Sequence, residues 1–321
     1  MKLRVLLTGK NGQVGSELAR LLPSMGELAA FGRAELDLAK PHDIRRVIAQ
    51  VRPNLIINAA AYTAVDQAEK EESLARAINA NAPAMIADEA RKVRAFLVHY
   101  STDYVFDGSK RSPYAEDDRT NPLSAYGRTK LAGEEAIRSS GVPHLILRTA
   151  WVYATSGKNF LLTVLRLAST REELRIVNDQ FGAPTPARAI AEATTRLVEH
   201  SKSDPGGFLE QNAGTYHLTA SGETTWYEFA VAILNAIQPL APAAGSRDAA
   251  ERPGIPGWLA APTGGRPIVC KRVVPITTAE YPTPATRPAY SVLSNTRFAS
   301  TFGFSLPDWR TQLAETIQPS L

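Results

Sequence analysis

The first 150 residues alternate short apolar runs with longer segments whose apolar residues recur at helical spacing. Consecutive strands that are separated by helices join one sheet through crossovers, which makes the strands parallel. The sequence therefore predicts an α/β fold built on a Rossmann-like, doubly wound parallel sheet. The predicted strands are Leu3–Thr8, Leu28–Phe31, Asn54–Asn58, Phe96–Ser101 and His144–Thr149, and the predicted helices are Gln13–Leu22, Pro41–Val51, Glu72–Arg91 and Leu123–Ser139.

The regular alternation fades after about residue 150. Helical patterns at Phe160–Ala168, Ala187–His200 and Trp226–Ile237 are separated by short strands and turn residues, which predicts a smaller, mixed α/β domain. A length of 321 residues also favours two domains over one core. Six prolines and five glycines between Pro239 and Pro267 predict a long loop, lid or disordered insert.

Charge and cysteine content narrow the class of protein. The formal net charge is +4, and basic residues are scattered among acidic ones, which predicts small polyanionic ligands and no nucleic acid. No apolar run reaches the about 20 residues that span a membrane, and Gly9 interrupts the apolar N-terminus too early for a signal peptide. One cysteine, Cys270, excludes an intrachain disulfide framework. These features predict a cytoplasmic protein.

A glycine-rich turn follows the first predicted strand and opens the first helix. In this context Gly9 allows a tight turn, Gly12 lets the backbone approach a pyrophosphate, and Gly15 permits close packing of helix against strand. Unpaired N–H groups at the start of the helix, around Gln13 and Val14, suit phosphate. The turn predicts a dinucleotide site.

The end of the second predicted strand bears on the choice of cofactor. An acid here would favour NAD by bonding the ribose 2′-hydroxyl, but the strand ends at Phe31 and is followed by Gly32 and Arg33. An arginine can pair with a 2′-phosphate, so the sequence favours NADPH, with NADH as a possible second cofactor. Asp37 and Leu38 are expected near the adenine.

Three residues have the chemistry of carbonyl reduction. Thr102 lies at the end of the fourth predicted strand, and Tyr126 and Lys130, four residues apart, share one face of the next helix. A ketone that receives hydride needs a proton on its oxygen, which Tyr126 can donate and Thr102 can stabilise. We expect the Lys130 ammonium to lower the pKa of Tyr126 and to bond the nicotinamide ribose.

Four segments extend this interpretation, and together they resemble the extended short-chain dehydrogenase/reductase family and, within it, the dTDP-4-dehydrorhamnose reductases. The resemblance runs from Leu3 to about Trp309. It implies NADPH-dependent reduction of dTDP-4-dehydro-β-L-rhamnose to dTDP-L-rhamnose, the last step in making an activated sugar. The four segments are Asn58–Asp66, Tyr100–Gly108, Tyr126–Glu134 and Asn178–Thr185.

The resemblance also implies roles for individual residues. Thr102, Asp103 and Trp151 would contact the sugar nucleotide, with Tyr126 as proton donor, while Asn79 would steady Lys130. Arg287, held between turn residues, offers a guanidinium that suits a diphosphate, and Trp151 offers an apolar face. The residues implied to contact the dinucleotide are Gly12, Gln13, Val14, Ala61, Tyr62, Thr63, Tyr100 and Lys130.

The change of pattern near residue 150 predicts a division of the chain. Residues 1–151 would form the NAD(P)-binding Rossmann domain, to which 187–202 would return, and 152–321 would bind mainly the sugar nucleotide. Some family members dimerise through Mg²⁺ held by acids, but Arg188 stands where such an acid is expected. No metal ligand is therefore predicted, Mg²⁺ dependence stays open, and monomer and homodimer are both retained.

Two alternative functions remain on the same fold. A nucleotide-sugar epimerase or dehydratase would retain NAD and recycle it, but dehydratases carry an acidic pair after the Ser-Thr, whereas Tyr104 follows Asp103 here. A catalytically inert regulatory subunit would tolerate the loss of Tyr126 or Lys130, and both are present.

Overall fold

A computed structural model describes residues 3–202, 207–237 and 257–318. The strands are β1 Arg4–Thr8, β2 Glu27–Phe31, β3 Leu55–Asn58, β4 Phe96–Thr102, β5 His144–Thr149, β6 Val152–Tyr153, β7 Glu173–Val177, β8 Phe181–Gly182, β9 Thr185–Pro186, β10 Gly214–His217, β11 Thr224–Thr225 and β12 Arg272–Ile276. The α-helices are α1 Gln13–Leu21, α2 Pro41–Val51, α3 Val65–Ala68, α4 Glu72–Arg76, α5 Ala82–Val93, α6 Ala125–Ser140, α7 Phe160–Ala168, α8 Ala187–Lys202, α9 Phe208–Gln211, α10 Trp226–Ile237, α11 Gly257–Thr263, α12 Thr296–Phe302 and α13 Trp309–Ile317.

Six strands form the central sheet, in the order β2, β1, β3, β4, β5, β10, and every adjacent pair is parallel. The chain leaves β1 toward β2 and then returns to place β3 on the other side of β1. At this reversal, the connections that follow the carboxyl ends of the two neighbouring strands run to opposite faces of the sheet, which leaves a crevice between them. The predicted Rossmann-like fold is confirmed.

The sheet is covered by helices on both faces, because its strands carry apolar residues on both sides. In β1, Val5 and Leu7 belong to one hydrophobic cluster, which includes residues of α1 and α8. Leu6, between them, belongs to a second cluster that includes residues of α2, α5 and α6. Adjacent residues of a strand point to opposite faces, which explains this division.

Segments after residue 151 build a third cluster and also join the sheet. Apolar residues of α7, α10 and α13 form this further core, beside two-stranded pairings such as the parallel β7 with β12. However, β10 pairs with β5 at the edge of the central sheet, and α8 packs on the same face as α1. We keep the division at residue 151, with the return of 187–202, as a proposal.

Two sequence predictions need correction. The helix predicted over Glu72–Arg91 is interrupted by a π-helical turn at Ala77–Asn81, after which Pro83 lies in the first turn of α5, where its missing N–H costs nothing. Part of the predicted loop or lid is helical, since α11 covers Gly257–Thr263 and contains Pro262; residues 239–256 lie outside the described residues. In the described ranges, no helix is both long and apolar enough to cross a membrane.

Candidate active site

A cleft of about 630 Å³ opens at the carboxyl ends of β1 to β5. Its size suits a dinucleotide, and it lies where a doubly wound sheet binds its ligands. The predicted site residues in its wall are Gly9, Gly12, Gln13, Val14, Gly32, Arg33, Asp37, Leu38, Ala61, Tyr62, Thr63, Tyr100, Tyr126 and Lys130.

The glycine-rich turn is shaped by close backbone contacts. Gly9 has a φ of +76°, and a Cβ there would lie 2.7 Å from the backbone nitrogen of Ala60. A Cβ on Gly15 would lie 2.0 Å from the carbonyl oxygen of Gly9, so Gly15 packs the helix against the turn and does not itself line the cleft. Gly12 caps α1 without a side-chain acceptor, which leaves N–H groups of the first helical turn for an anion.

Next to Gly32 and Arg33 of the cleft wall lies an ion pair between Lys10 and Glu35, which the sequence analysis did not predict. Glu35 accepts hydrogen bonds from the backbone N–H of Gly32 and from Nζ of Lys10, each at 2.7 Å. An acid therefore does follow the second strand, four residues beyond its end, but both of its carboxylate oxygens have partners. The Arg33 side chain is exposed at the cleft wall.

Asn79 lies behind the wall of the cleft. Its Oδ1 accepts from the backbone N–H of Tyr62 at 2.8 Å, and its Nδ2 donates to the Tyr62 carbonyl at 3.0 Å and to Oγ1 of Thr129 at 3.3 Å. Asn79 thus fixes the backbone of Tyr62 and contacts the neighbour of Lys130 in α6. The π-helical turn places it there, and such turns are frequent at functional sites.

Helix α6 brings Tyr126 and Lys130 to the cleft together. The hydroxyl of Ser124 caps the helix by accepting from the N–H of Gly127 at 3.1 Å. Lys130 is only 2% exposed, and its Nζ donates to the Tyr100 carbonyl at 2.6 Å and lies 3.2 Å from Nε2 of His99. The hydroxyl of Thr102 is within hydrogen-bonding reach of the Tyr126 phenol.

The expected lowering of the Tyr126 pKa is wrong for this structure. Burial raises the pKa of Tyr126 to about 12, against a smaller lowering by the hydrogen bond with Thr102. The Lys130 ammonium is directed toward Tyr100 and His99, and burial lowers the pKa of Lys130 to about 8. Desolvation disfavours both the tyrosinate and the ammonium. Tyr126 is therefore protonated at neutral pH.

Asp103 is buried beside these residues. Its Oδ1 accepts from the hydroxyl of Thr102 at 3.0 Å, while Oδ2 has no hydrogen-bond partner among the described residues. Burial raises the pKa of Asp103 to about 6, although the hydrogen bond from Thr102 opposes the shift. A carboxyl with one free oxygen can accept a hydrogen bond from a ligand hydroxyl.

None of the four predicted substrate residues lines the cleft. Thr102 and Asp103 lie beside Tyr126, and the other two, Trp151 and Arg287, already have partners elsewhere. Trp151 has a φ of +47° and stacks on Trp226, with ring centroids 3.4 Å apart. Arg287 makes two hydrogen bonds to the carboxylate of Asp66, at 3.1 and 2.8 Å. The sequence interpretation missed both Trp226 and the pairing with Asp66, because each contact joins residues far apart in the chain.

Other residues of the cleft wall were not predicted from the sequence. The alanines after β3 could have been found, since they continue directly into Ala61. Lys158 and Gly157 lie in a loop without a motif, so only the folded chain reveals them. The missed wall residues are Asn11, Leu36, Ala59, Ala60, Ala64, Ile78, Ser101, Thr149, Val152, Gly157 and Lys158.

Comparison with known proteins adds a family to this geometry. The model of the family described as RmlD substrate binding domain matches residues 2–321 of the chain. The chain belongs to this family. A dTDP-4-dehydrorhamnose reductase of Burkholderia thailandensis is 45% identical over 310 residues, which covers 96% of each chain. The resemblance inferred from the four sequence segments is confirmed.

Solved structures of the family share the fold of this member. A dTDP-4-dehydrorhamnose reductase of Clostridium acetobutylicum is 36% identical, with a TM-score of 0.82 and 98% of each chain covered. The corresponding enzyme of Bacillus anthracis, solved in complex with NADP, is 32% identical, with a TM-score of 0.82 over 100% of each chain.

Proposed function

We propose that this chain catalyses the NADPH-dependent reduction of dTDP-4-dehydro-β-L-rhamnose to dTDP-L-rhamnose. The observation that carries the proposal is that Tyr126 and Lys130 both line a dinucleotide-sized cleft, with the Thr102 hydroxyl within hydrogen-bonding reach of the Tyr126 phenol. Relatives named as reductases of this substrate, at 45% and 42% identity, support the choice of reaction.

The chain has the groups that a nicotinamide dinucleotide requires. Gly9, Gly12 and the open N–H groups of α1 would hold its diphosphate, since Gly12 caps the helix without a side-chain acceptor. Arg33 would face the 2′-phosphate of NADPH, and the Glu35 carboxylate, paired with Lys10 and Gly32, is not free to select the 2′-hydroxyl of NADH. When bound, the cofactor supplies the hydride that converts the ketone carbon to an alcohol carbon.

Tyr126 supplies the proton for the same ketone. As the C=O double bond becomes a single bond, the oxygen gains negative charge and takes the phenolic proton, which solvent then replaces. The high pKa of Tyr126 keeps that proton in place before reaction. The nearby Lys130 ammonium stabilises the tyrosinate that remains, and Thr102 donates to the developing oxyanion once its hydroxyl leaves Asp103.

The sugar nucleotide would lie on the far side of Tyr126 from the glycine turn. Asp103 offers its free carboxylate oxygen to a sugar hydroxyl, and Trp151 offers an apolar surface at its edge. Arg287 would bind the diphosphate in the place of the Asp66 carboxylate, because a guanidinium matches both groups in the same two-pronged geometry.

A direct assay tests the reaction. Protein, NADPH and the dTDP-4-keto-6-deoxy sugar are mixed, and nicotinamide absorbance is followed together with the sugar product. We expect one NADPH oxidised per sugar reduced, and a loss in kcat of about 10²- to 10⁴-fold in Tyr126→Phe. Tyr281→Phe is the control, since Tyr281 is 59% exposed. Conversion of the sugar without net oxidation of NADPH would contradict the proposal and indicate an epimerase. Binding of the ligands without turnover would contradict it and indicate an inert subunit.

The same assay addresses cofactor choice and metal. We expect a higher kcat/KM with NADPH than with NADH. Arg33→Ala should reduce this preference for NADPH about tenfold, because it removes the pairing with the 2′-phosphate. Equal ratios in the two proteins would remove Arg33 from the adenosine site. Mg²⁺ dependence is tested in the same assay with a chelator. A loss of activity that added Mg²⁺ restores would show a metal requirement, and unchanged activity would show that none exists.

The setting of the reaction is also proposed from the sequence. We place the protein in the cytoplasm and retain a monomer or homodimer as its assembly. Light scattering of the purified protein, with and without Mg²⁺, distinguishes the two assemblies.

A further inference from the structure

Lys130 is held from inside the protein by two acceptors on β4. Its ammonium has three N–H donors and no acceptor. One donates to the Tyr100 carbonyl, with Nζ 2.6 Å from its oxygen. Nζ also lies 3.2 Å from Nε2 of His99, which is close enough for a second hydrogen bond. The third is then available for the cleft, which Lys130 lines. The direction of that third donor depends on whether His99 accepts.

His99 is the end of a row of buried polar side chains that crosses three adjacent strands. The sheet register places Thr8 of β1 beside Asn58 of β3, and Asn58 beside His99 of β4. Each of the three is 1% exposed. Oγ1 of Thr8 lies 2.6 Å from Oδ1 of Asn58, and Nδ2 of Asn58 lies 3.0 Å from Nδ1 of His99.

This row can fix the tautomer of His99. A neutral imidazole carries one proton, so Nε2 can accept from Lys130 only when the proton is on Nδ1. The Asn58 carboxamide has two ends of nearly equal shape, and with its oxygen toward His99 it accepts the Nδ1 proton. Its NH₂ group then donates to the hydroxyl of Thr8. In the orientation of the structure, Nδ2 of Asn58 faces His99 and Oδ1 accepts from Thr8, which would put the proton on Nε2 and make Nε2 and the ammonium both donors. The 3.2 Å between Nζ of Lys130 and Nε2 of His99 therefore favours the reversed carboxamide.

We propose that His99 is a positioning residue of the active site, which accepts a hydrogen bond from the Lys130 ammonium through Nε2 while Asn58 and Thr8 keep its proton on Nδ1. The inference rests on the proposed reduction, since it assigns the aim of Lys130 within that reaction. His99 acts through Lys130, and neither the cleft wall nor Tyr126 involves it directly.

The surrounding charges keep the ring neutral. Burial, with the Lys130 ammonium and His144 of β5, holds the pKa of His99 well below its usual value. Burial lowers the pKa of Lys130 to about 8, and Glu134, one turn further along α6, opposes that shift. Tyr100 and Asn58 contribute no charge near pH 7. An acceptor at His99 favours the charged form of Lys130, so its removal lowers the Lys130 pKa further.

Three variants test the role through the pH dependence of the reaction. His99→Phe keeps an aromatic ring and removes the acceptor, His99→Gln keeps an acceptor oxygen, and His42→Gln is the control, since the His42 side chain is 86% exposed. For His99→Phe we expect kcat to fall about tenfold to hundredfold, as when a hydrogen bond to a charged group is lost. We also expect the alkaline limb of its kcat profile to move about one pH unit lower.

The acceptor variant separates positioning from packing. His99→Gln should stay within about threefold of the parent kcat and restore the alkaline limb, since a carboxamide oxygen also accepts from an ammonium. His42→Gln should leave both kcat and the alkaline limb unchanged. A pH profile of kcat in His99→Phe that matches the parent profile would overturn the proposal. Equal losses of kcat in His99→Phe and His99→Gln, with the alkaline limb unmoved, would also overturn it.

Nitrogen NMR of the protein labelled at its five histidines gives a second test, which needs no turnover. The proposal requires one ring that is neutral across pH 6 to 9 with its proton on Nδ1, assigned by its loss in His99→Gln. A proton on Nε2 of that ring would overturn it. Because the spectrum is taken without cofactor or substrate, failure of the proposed reduction would leave this result standing.

Discussion

The two sides of the active site, one facing the glycine turn and one facing Arg287, are built differently. The wall around the turn consists of backbone N–H groups, small residues and strand ends, and its shape is already open. On the other side, Arg287 is paired with Asp66, Trp151 is stacked on Trp226, and Thr102 donates to Asp103.

This difference indicates how each ligand would be bound. A dinucleotide would enter a cleft that needs no exchange of side-chain partners, so backbone geometry sets its affinity. A sugar nucleotide would have to replace existing contacts, and each replacement costs part of the binding energy. Substitutions on the two sides should therefore affect different measured constants.

The largest expected effect is on the substrate side. Arg287→Lys keeps the charge but loses the two-pronged geometry that matches a diphosphate, so KM for the sugar nucleotide should rise about hundredfold. The dissociation constant of NADPH should not change. Both are measured by steady-state kinetics and by nicotinamide fluorescence.

Arg175→Lys is the control for that substitution, because Arg175 forms an exposed ion pair with Glu280 at 2.9 Å. An unchanged KM in Arg287→Lys would mean that the pairing with Asp66 is structural only. A rise in the NADPH dissociation constant of similar size would remove the distinction between the two sides.

A pair of glycine substitutions tests the cofactor side. Gly15→Ala would place a methyl group 2.0 Å from the Gly9 carbonyl oxygen, so the free energy of unfolding should fall by about 2 kcal/mol. A Cβ on Gly12 meets only that oxygen, at 3.3 Å. Gly12→Ala should cost less than about 1 kcal/mol of stability, yet weaken NADPH binding about tenfold where the diphosphate approaches.

Urea unfolding and a fluorescence titration measure these two quantities. If Gly12→Ala bound NADPH as the parent protein does, the diphosphate would not lie against this turn. Equal stability losses in the two variants would show that Gly15 has no special packing role.

The smallest expected effect concerns the buried carboxyl. The pKa of Asp103 is raised in the folded protein, so its contribution favours folding below about pH 4 and is lost as the pH rises through about 6. The full shift corresponds to about 3 kcal/mol. Asp103→Asn removes the buried charge, so the free energy of unfolding at pH 7.5 should rise. We expect a rise of only about 1 kcal/mol, because an amide oxygen accepts more weakly from Thr102 than a carboxylate does.

Urea unfolding at pH 7.5 and at pH 4 measures this gain, which should be present only at the higher pH. If Asp103→Asn were less stable than the parent at pH 7.5, the buried Asp103 carboxylate would not be destabilising, which would contradict this prediction.

Much of the fold followed from the sequence because local patterns decide it. Helices α2 and α7 and strand β5 have the predicted bounds, since hydrophobic periodicity and Pro41 at the start of α2 are read from neighbouring residues. The glycine turn and the spacing of Tyr126 and Lys130 were likewise local. The π-helical turn at Ala77–Asn81 was missed because it depends on how α5 packs, not on its own sequence.

The sequence by itself determined the sheet, its glycine turn and the tyrosine–lysine pair, because each is specified within a few residues of chain. The tertiary structure alone decided the charge and direction of those groups. Burial raised the pKa of Tyr126 where the sequence predicted a lowering. Folding also placed His99 within hydrogen-bonding distance of Lys130 and paired Asp66 with Arg287. Desolvation and contacts between distant segments exist only once the chain has folded.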